Sequence, residues 1–247
     1  MKKLLLSTLI FTFIFSFVGI GVIAQDKGNK IGTIVSLRGK VVRINKLLKR
    51  KEFLDVGNII FENDIVGSGE KSFVKILMKD DTLFQLGPRS KFVFKKFNYQ
   101  SKKKRKAVYN LLIGKLRSLF TNKAEDEGDL ELNTPNAAMA VRGTEILSDV
   151  YNKKGQFRTD IALLSGRLDI KTKNKEVVNL KPGFILETGA YLKNKSARTN
   201  AYILKRIPSK WYIQLQNPHQ RNGKIFLHDA RKSHYKMLKK RRSGNKL

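Results

Sequence analysis

The chain has 247 residues, with 51 Lys and Arg against 20 Asp and Glu, a formal net charge of +31 at pH 7. At about 150 residues per domain this is one large or two small domains, and with 41% hydrophobic residues it can bury a core rather than stay disordered. No cysteine is present, which excludes disulfides, thiolate metal sites, thiol catalysis and a lipidated cysteine anchor; the three histidines, His219, His228 and His234, fall in the last thirty residues, which excludes a histidine-based active site in the body.

The first predicted element is a targeting segment over residues 1–24. Lys2 and Lys3 precede an uncharged apolar run from Leu4 to Ile23, and Val22 and Ala24 are small enough for the −3 and −1 positions of a cleavage site after Ala24. The alternative is an uncleaved anchor, because twenty residues at 1.5 Å each reach across about 30 Å of bilayer core. Both readings export residues 25–247. Residues 25–30 read as a short linker.

From Ile31 the pattern repeats every two residues and is punctuated by glycine. Ile31–Leu37 and Lys40–Ile44 around Arg38-Gly39 predict a hairpin, and Ser72–Met78 and Thr82–Leu86 around Lys79-Asp80-Asp81 predict a second. Gly87-Pro88 ends that strand, since proline lacks an N–H and glycine allows positive φ. Apolar-rich segments follow at 91–97, 107–120, 130–133, 137–141, 145–151, 157–164, 167–171, 176–180 and 184–188. The best helical candidate, 107–120, is broken by Gly114. Many short strands with turn signals predict an all-β domain over 31–190, a β-sandwich or a β-solenoid-like stack. Leu111-Leu-Ile-Gly-Lys-Leu116 is echoed by Leu163-Leu-Ser-Gly-Arg-Leu168 and weakly by Leu37-Arg-Gly-Lys-Val41. Either one turn solution is reused, or strand–turn–strand rungs stack on one another.

Residues 191–247 form a basic extension. From Lys193 there are sixteen Lys and Arg against one acid, Asp229. A short helix is expected at 229–241, with a disordered end.

Four blocks carry a family resemblance. They are Ile31-Gly-Thr-Ile-Val-Ser-Leu-Arg-Gly-Lys-Val41; Leu54-Asp-Val-Gly57 with Glu62-Asn-Asp-Ile-Val-Gly-Ser-Gly69; Met78-Lys-Asp-Asp-Thr-Leu-Phe-Gln-Leu-Gly-Pro-Arg-Ser90; and Thr134-Pro-Asn-Ala-Ala-Met-Ala-Val-Arg-Gly-Thr144. Together they resemble the FecR domain, the periplasmic module of the ferric-citrate regulator type, over about residues 31–188. Asn58 and Asn63 stand where that family usually has Asp, and Asp81 where Gly is common. Only Met1, Lys2 and Lys3 precede the apolar run, where the naming regulator has a cytoplasmic anti-sigma segment. The resemblance implies the periplasmic fold and a free-standing exported member without that output. Its motif residues Gly87, Pro88, Thr134, Pro135, Val141, Arg142, Gly143 and Thr144 read first as structural.

Several constellations could carry chemistry or binding. In Val141-Arg-Gly-Thr144, Arg142 either forks an acidic partner group or pairs locally with a carboxylate such as Glu145 or with carbonyls. Gly143 would then sit at positive φ, with Thr144 bonding the turn. Asp80-Asp81 are adjacent carboxylates, the material of acid–base or metal work, but Asp-Asp-Thr is also good turn chemistry. Glu125-Asp126-Glu127 and Asp129 make an acidic loop without calcium-loop spacing, able to dock the chain's own basic segment. Lys102-Lys103-Lys104-Arg105-Lys106 reads as an exposed basic loop and, with Lys239, Lys240, Arg241 and Arg242, as an attachment surface for anionic envelope polymers or lipid head groups. Export argues against nucleic acid as the usual partner. Trp211, Tyr212, Tyr202 and Tyr235 either stack a ligand or pin the extension to the body.

No phosphate loop, nucleophile elbow or metalloprotease motif occurs, and no cofactor is implied. The expected function is a non-catalytic periplasmic binding or scaffold protein whose partner is an envelope protein or an anionic glycan or lipid surface. The alternative is the periplasmic component of a FecR-type signalling system. An enzyme using Asp80, Asp81 or Glu145 ranks behind both.

Overall fold

A computed structural model of the chain describes residues 28–45, 50–101, 104–121, 129–188 and 202–207. The targeting segment, Lys102 and Lys103, the acidic run 125–127, the histidines, and Trp211, Tyr212, Tyr235 and Lys239–Arg242 of the basic extension lie outside the described residues. All described secondary structure is strand. In chain order the strands are β1 (Lys30–Arg38), β2 (Val41–Asn45), β3 (Arg50–Phe53), β4 (Ile59–Phe61), β5 (Asp64–Ser68), β6 (Phe73–Met78), β7 (Leu83–Leu86) and β8 (Lys91–Tyr99). They continue with β9 (Arg105–Leu119), β10 (Asp129–Asn133), β11 (Ala137–Lys153), β12 (Gln156–Thr172), β13 (Val177–Leu180), β14 (Phe184–Thr188) and β15 (Tyr202–Arg206). The fifteen strands form one hydrogen-bonded sheet.

The sheet is folded over on itself. Strands β4, β1, β6, β7, β14 and β15 belong to a first layer, and β3, β2, β5, β8, β10 and β13 to a second. The long strands β9, β11 and β12 run through both. The first part of β9 pairs with β8 and, in parallel, with β10; its last part pairs with β7 and β11. Likewise β12 pairs with β14 over Thr159–Ala162 and with β13 over Leu168–Lys171. Crossings between the layers carry Gly39, Gly57, Gly69, Gly87, Gly114, Gly143, Gly166 and Gly183.

Two of these glycines show why. Gly166 has φ +92°, and a Cβ there would lie 2.2 Å from the Gly143 carbonyl oxygen; Gly114 has φ +93°, and a Cβ would lie 2.4 Å from Ser90 Cα. A side chain at either position would meet backbone from the neighbouring corner. The corners are also bonded to one another: the Gly69 N–H donates to the Lys40 carbonyl and the Gly87 N–H to the Lys115 carbonyl, each at 2.8 Å, and the Phe120 N–H to the Thr144 carbonyl at 2.9 Å. We call this line of corners the seam.

Alternation fills the space between the layers. Val74, Ile76, Met78, Phe84, Leu86, Phe92, Phe94, Ala107, Tyr109, Leu111, Ile161, Leu163, Leu168 and Ile170 are each at most 2% exposed and belong to one apolar cluster drawn from both layers. Burial at this density is the main term holding the layers together. The rings of Phe84, Phe92, Phe94 and Tyr109 lie 4.7–6.1 Å apart at its centre, within the range of favourable aromatic contacts.

The all-β expectation holds: every described element is a strand, and the strands join in one continuous sheet. The hairpin expected across Arg38-Gly39 does not: β1 pairs with β4 and β6, and β2 with β3 and β5, because Gly39 is a corner between layers and not a hairpin turn. The hairpin across Asp80-Asp81 is present as β6–β7. The helical candidate 107–120 is strand, and the paired segments 137–141/145–151 and 157–164/167–171 are the two halves of β11 and β12. The three echoed segments are three corners of the seam. Tyr202–Arg206, in the stretch assigned to the extension, pairs with β14.

Candidate functional site

The residues that carry the motifs divide between the seam and one outer face. At the seam, Gly87 accepts the Ser68 hydroxyl on its carbonyl, and Pro88 follows in the turn. Thr134 closes the β10–β11 turn: its N–H donates to the Ala137 carbonyl at 2.8 Å and its Oγ1 accepts the Ala137 N–H at 3.1 Å. Pro135 lies between them. Gly143 has φ +60°, as expected, and forms a bulge where the β11–β12 register shifts between Arg142 and Glu145. Val141 points into the core at 4% exposure. Thr144 is buried and serves the seam through its carbonyl.

The carboxylates considered for chemistry are engaged in structure. Asp80 is buried in the β6–β7 turn, where its carboxylate accepts the Thr82 N–H at 3.1 Å and the Thr82 hydroxyl at 2.9 Å. It also pairs with Arg105 at 3.1 Å, and both side chains are at most 1% exposed. Asp81 takes φ +65°, a conformation that glycine adopts freely and that Asp tolerates in a turn. Glu145 is buried and accepts from Arg117 Nε at 2.8 Å; Arg142 is therefore not its main partner.

Arg105 corrects the reading of Lys102–Lys106 as a uniformly exposed run. Alternation continues back from Leu111, Tyr109 and Ala107 to Arg105, so its guanidinium points between the layers and latches the start of β9 to the far end of the first layer. Lys104 and Lys106 are exposed.

Those two lysines and Arg142 meet on the outer face of the second layer. They line an open groove of about 1130 Å³ that runs across β8 to β13, together with Asn98, Gln100, Glu131, Ala138, Ala140, Arg167, Asp169, Lys171 and Val177. Five exposed-face cations, Lys104, Lys106, Arg142, Arg167 and Lys171, stand there against Glu131 and Asp169. Asp169 accepts the Asn179 amide at 2.7 Å. Ala138 and Ala140 keep the floor low between Glu131 and Asp169. The decisive geometry is register: Arg142 is directly opposite Arg167 across β11–β12, and both are exposed. Like charges in opposed positions on one face of a sheet repel, and this pair concentrates positive charge at one point of the groove. Arg167 and Lys171 were not singled out from the sequence; the signal was the antiparallel match of Arg142-Gly143 with Gly166-Arg167.

Among the described residues no group of three His, Cys, Asp or Glu side chains is placed to hold a metal ion. The blocks that carry the family resemblance are thus mainly seam corners, and the family model described as FecR protein matches residues 64–169, from β5 through the second half of β12. Residues 64–169 form a FecR domain. Two crystal structures, at 1.65 Å and 2.50 Å, of a provisionally named anti-sigma factor from Parabacteroides distasonis ATCC 8503 are similar to the chain at 11% identity, with a TM-score of 0.46, over 61% of this chain and 62% of theirs. The chain thus spans less than two thirds of their length. No curated protein sequence matches it. The FecR domain contributes Arg142 and Arg167 to the groove, along with Lys104, Lys106 and Asp169.

Proposed function

We propose that this chain is an exported, non-catalytic FecR-type module that holds an anionic component of the cell envelope in the groove of its second layer. The observation that carries the reading is the cross-strand pair Arg142–Arg167. A carboxylate or phosphate group placed between the two would relieve their repulsion and gain charge-assisted bonds. Lys104, Lys106 and Lys171 extend the positive field along the groove, each adding about 1 kcal/mol near a charged surface before screening. The apolar run at the start of the chain supports export to the periplasm. The engagement of Asp80 and Glu145 in buried ion pairs supports a role in binding and not in catalysis. The FecR match also favours a regulatory reading, in which occupancy of the groove is the signal passed to an envelope partner.

The test is salt-dependent retention on envelope fractions, comparing the exported chain with its Arg142→Glu/Arg167→Glu variant. Retention of the parent chain at low salt should fall steeply as salt rises, and the variant should lose at least tenfold of its low-salt binding with an unchanged circular dichroism spectrum. Equal retention of the folded variant would refute the groove as the binding surface.

A further inference from the structure

The two layers end differently at one margin. Beyond β12 the first layer continues with β14 and then β15, whereas the second continues with β13 alone among the described strands. The first layer therefore reaches one strand farther, and the inner side of β15 shows the consequence. Leu204 is opposite Leu186 across β14–β15, and directly opposed residues of an antiparallel pair point to the same face. Leu186 is fully buried in the core, but Leu204, on the same side one strand farther out, is 48% exposed. Phe184, also on that side, is half-buried against the core, with the Arg206 guanidinium over its ring.

The margin of β13 offers the matching backbone. The Thr172 N–H donates to the Glu176 carbonyl at 2.9 Å. Bonded pairs alternate along an antiparallel ladder, so Ile170–Val178 and Leu168–Leu180 are the next ones. The N–H and C=O groups of Val177 and Asn179 consequently point away from β12, and Val177 is 70% exposed. Edges of this kind are usually blunted. The edge strand β4, at the opposite margin, has its groups taken up by side chains: the Ile59 carbonyl accepts from Arg43 at 2.7 Å and the Phe61 N–H donates to Asp64 at 2.9 Å.

A strand laid along β13 would complete the second layer opposite β15. Its inward side chains would meet Leu204 and Phe184, which calls for apolar residues. Its outer side and ends would meet Lys171, Lys173, Lys175 and Lys181, all exposed, against Glu176 and an Asp169 that already accepts from Asn179. That calls for Asp or Glu. The fold contains one strand of this pattern. In β10, Asp129-Leu-Glu-Leu-Asn133, both leucines enter the core and Glu131 lies among the groove cations. No stretch of sequence outside the described residues repeats it. Residues 189–201 and 208–247 are basic, 1–27 and 46–49 hold Asp26 as their one acid, 102–103 are lysines, and 122–128 has no apolar residue larger than Ala124. A second copy brings a net charge of +31 of the same sign.

We propose that β13 is the acceptor edge for a strand of a partner polypeptide, an extended segment in which apolar residues alternate with Asp or Glu. Its backbone pairs with Val177 and Asn179, and its apolar side chains close over Leu204 and Phe184. This edge borders the groove through Val177 but does not depend on the groove being occupied.

The test uses the exported chain with a blocked peptide of about eight residues alternating leucine and glutamate, read by amide hydrogen exchange. In the chain alone, the Val177 and Asn179 amides should exchange freely. The peptide should slow both by at least about tenfold and leave the amides of Phe53 and Leu204, on the edges of β3 and β15, as they are. A peptide with lysine in place of glutamate should bind at least about tenfold more weakly. So should the parent peptide to Leu204→Asp, which puts a like charge at the apolar contact, and to Val177→Pro, which removes one outward N–H without touching a bond to β12. The Arg142→Glu/Arg167→Glu chain should still show the protection at saturating peptide, which separates this proposal from the groove reading. Protection at Phe53 or Leu204 in place of β13, equal binding of the lysine peptide, or no binding would overturn the proposal. So would slow exchange of Val177 and Asn179 without peptide: in dilute chain the edge would be filled by the chain itself, and at rising concentration by a second copy.

Discussion

Replacing Asp80 by alanine removes the counter-charge that faces Arg105 between the layers. The pair is 3.1 Å apart with both side chains at most 1% exposed, so water cannot readily replace the carboxylate. Breaking a buried ion pair from one side costs about 3–5 kcal/mol. The same carboxylate accepts two bonds from Thr82, and loss of that turn adds about 1 kcal/mol. At about 2–4 °C per kcal/mol for a domain of this size, the midpoint of thermal unfolding should fall by roughly 10–20 °C. Circular dichroism melts of the exported chain at neutral pH measure it. The double variant Asp80→Ala/Arg105→Met should recover most of the loss, because an apolar side chain in that place has no charge to desolvate. A single-variant shift of less than about 3 °C, or a double variant no better than the single, would refute the latch. Arg105→Met should lower the midpoint without changing salt-dependent retention of the folded fraction, which separates Arg105 from its neighbours Lys104 and Lys106.

Gly166→Ala should cost about 3 kcal/mol or more in urea unfolding, about 1–2 kcal/mol from the left-handed backbone and the rest from the 2.2 Å approach to the Gly143 carbonyl; a cost below about 1 kcal/mol would show that the corner does not need glycine. Asp160 gives a pH-dependent prediction. Burial first, then Glu187 and Asp149, push its carboxyl from 3.8 up to about 7, against the opposing pull of Lys205 and of a hydrogen bond with Tyr151; Arg158 lies opposite Tyr151 in the next register pair. The folded chain therefore binds this proton more tightly than the unfolded chain, and the stability it supplies is present below about pH 4 and is lost as pH rises through about 7. Asp160→Asn should be more stable than the parent at pH 8, by at most about 4 kcal/mol, and show no such gain at pH 4; a gain independent of pH would contradict a carboxyl raised by burial and by Glu187 and Asp149.

Period-two patterning located most of the described strands but not β3, β4, β5 or β15, and the reason it mistook the strand ends is visible in three places. Inward residues of β9 are odd-numbered through Leu111 and even-numbered from Leu116; those of β12 are odd through Leu163 and even from Leu168; those of β11 are odd through Val141 and even from Ile146. Each change of parity falls at a glycine, Gly114, Gly166 or Gly143. A reading by alternation must stop there, so it divided long strands into pairs and, at Gly114, suggested a broken helix. Pairing partners were out of reach for a related reason. Gly39 between two alternating runs has the local chemistry of a hairpin, and only contacts from β4, β6 and β5 pull its flanks into different layers. The groove was half legible. Arg142 and the lysines of the basic run stood out, but their meeting depends on β10 being inserted beside β9 by a segment whose sequence gives no register.

The parity change has an electrostatic consequence. Before the corner, the outward positions of β11 are Ala138, Ala140 and Arg142; after it they are Glu145, Leu147 and Asp149. On β12 they are Asp160, Ala162 and Leu164 before the corner, and Arg167, Asp169 and Lys171 after it. The same two strands thus present an arginine pair on one outer face and an acid pair on the other, with the core between them. An anion drawn to the arginine side of these strands therefore meets the acid pair of the other outer face only across the core, and the groove reading rests on that separation.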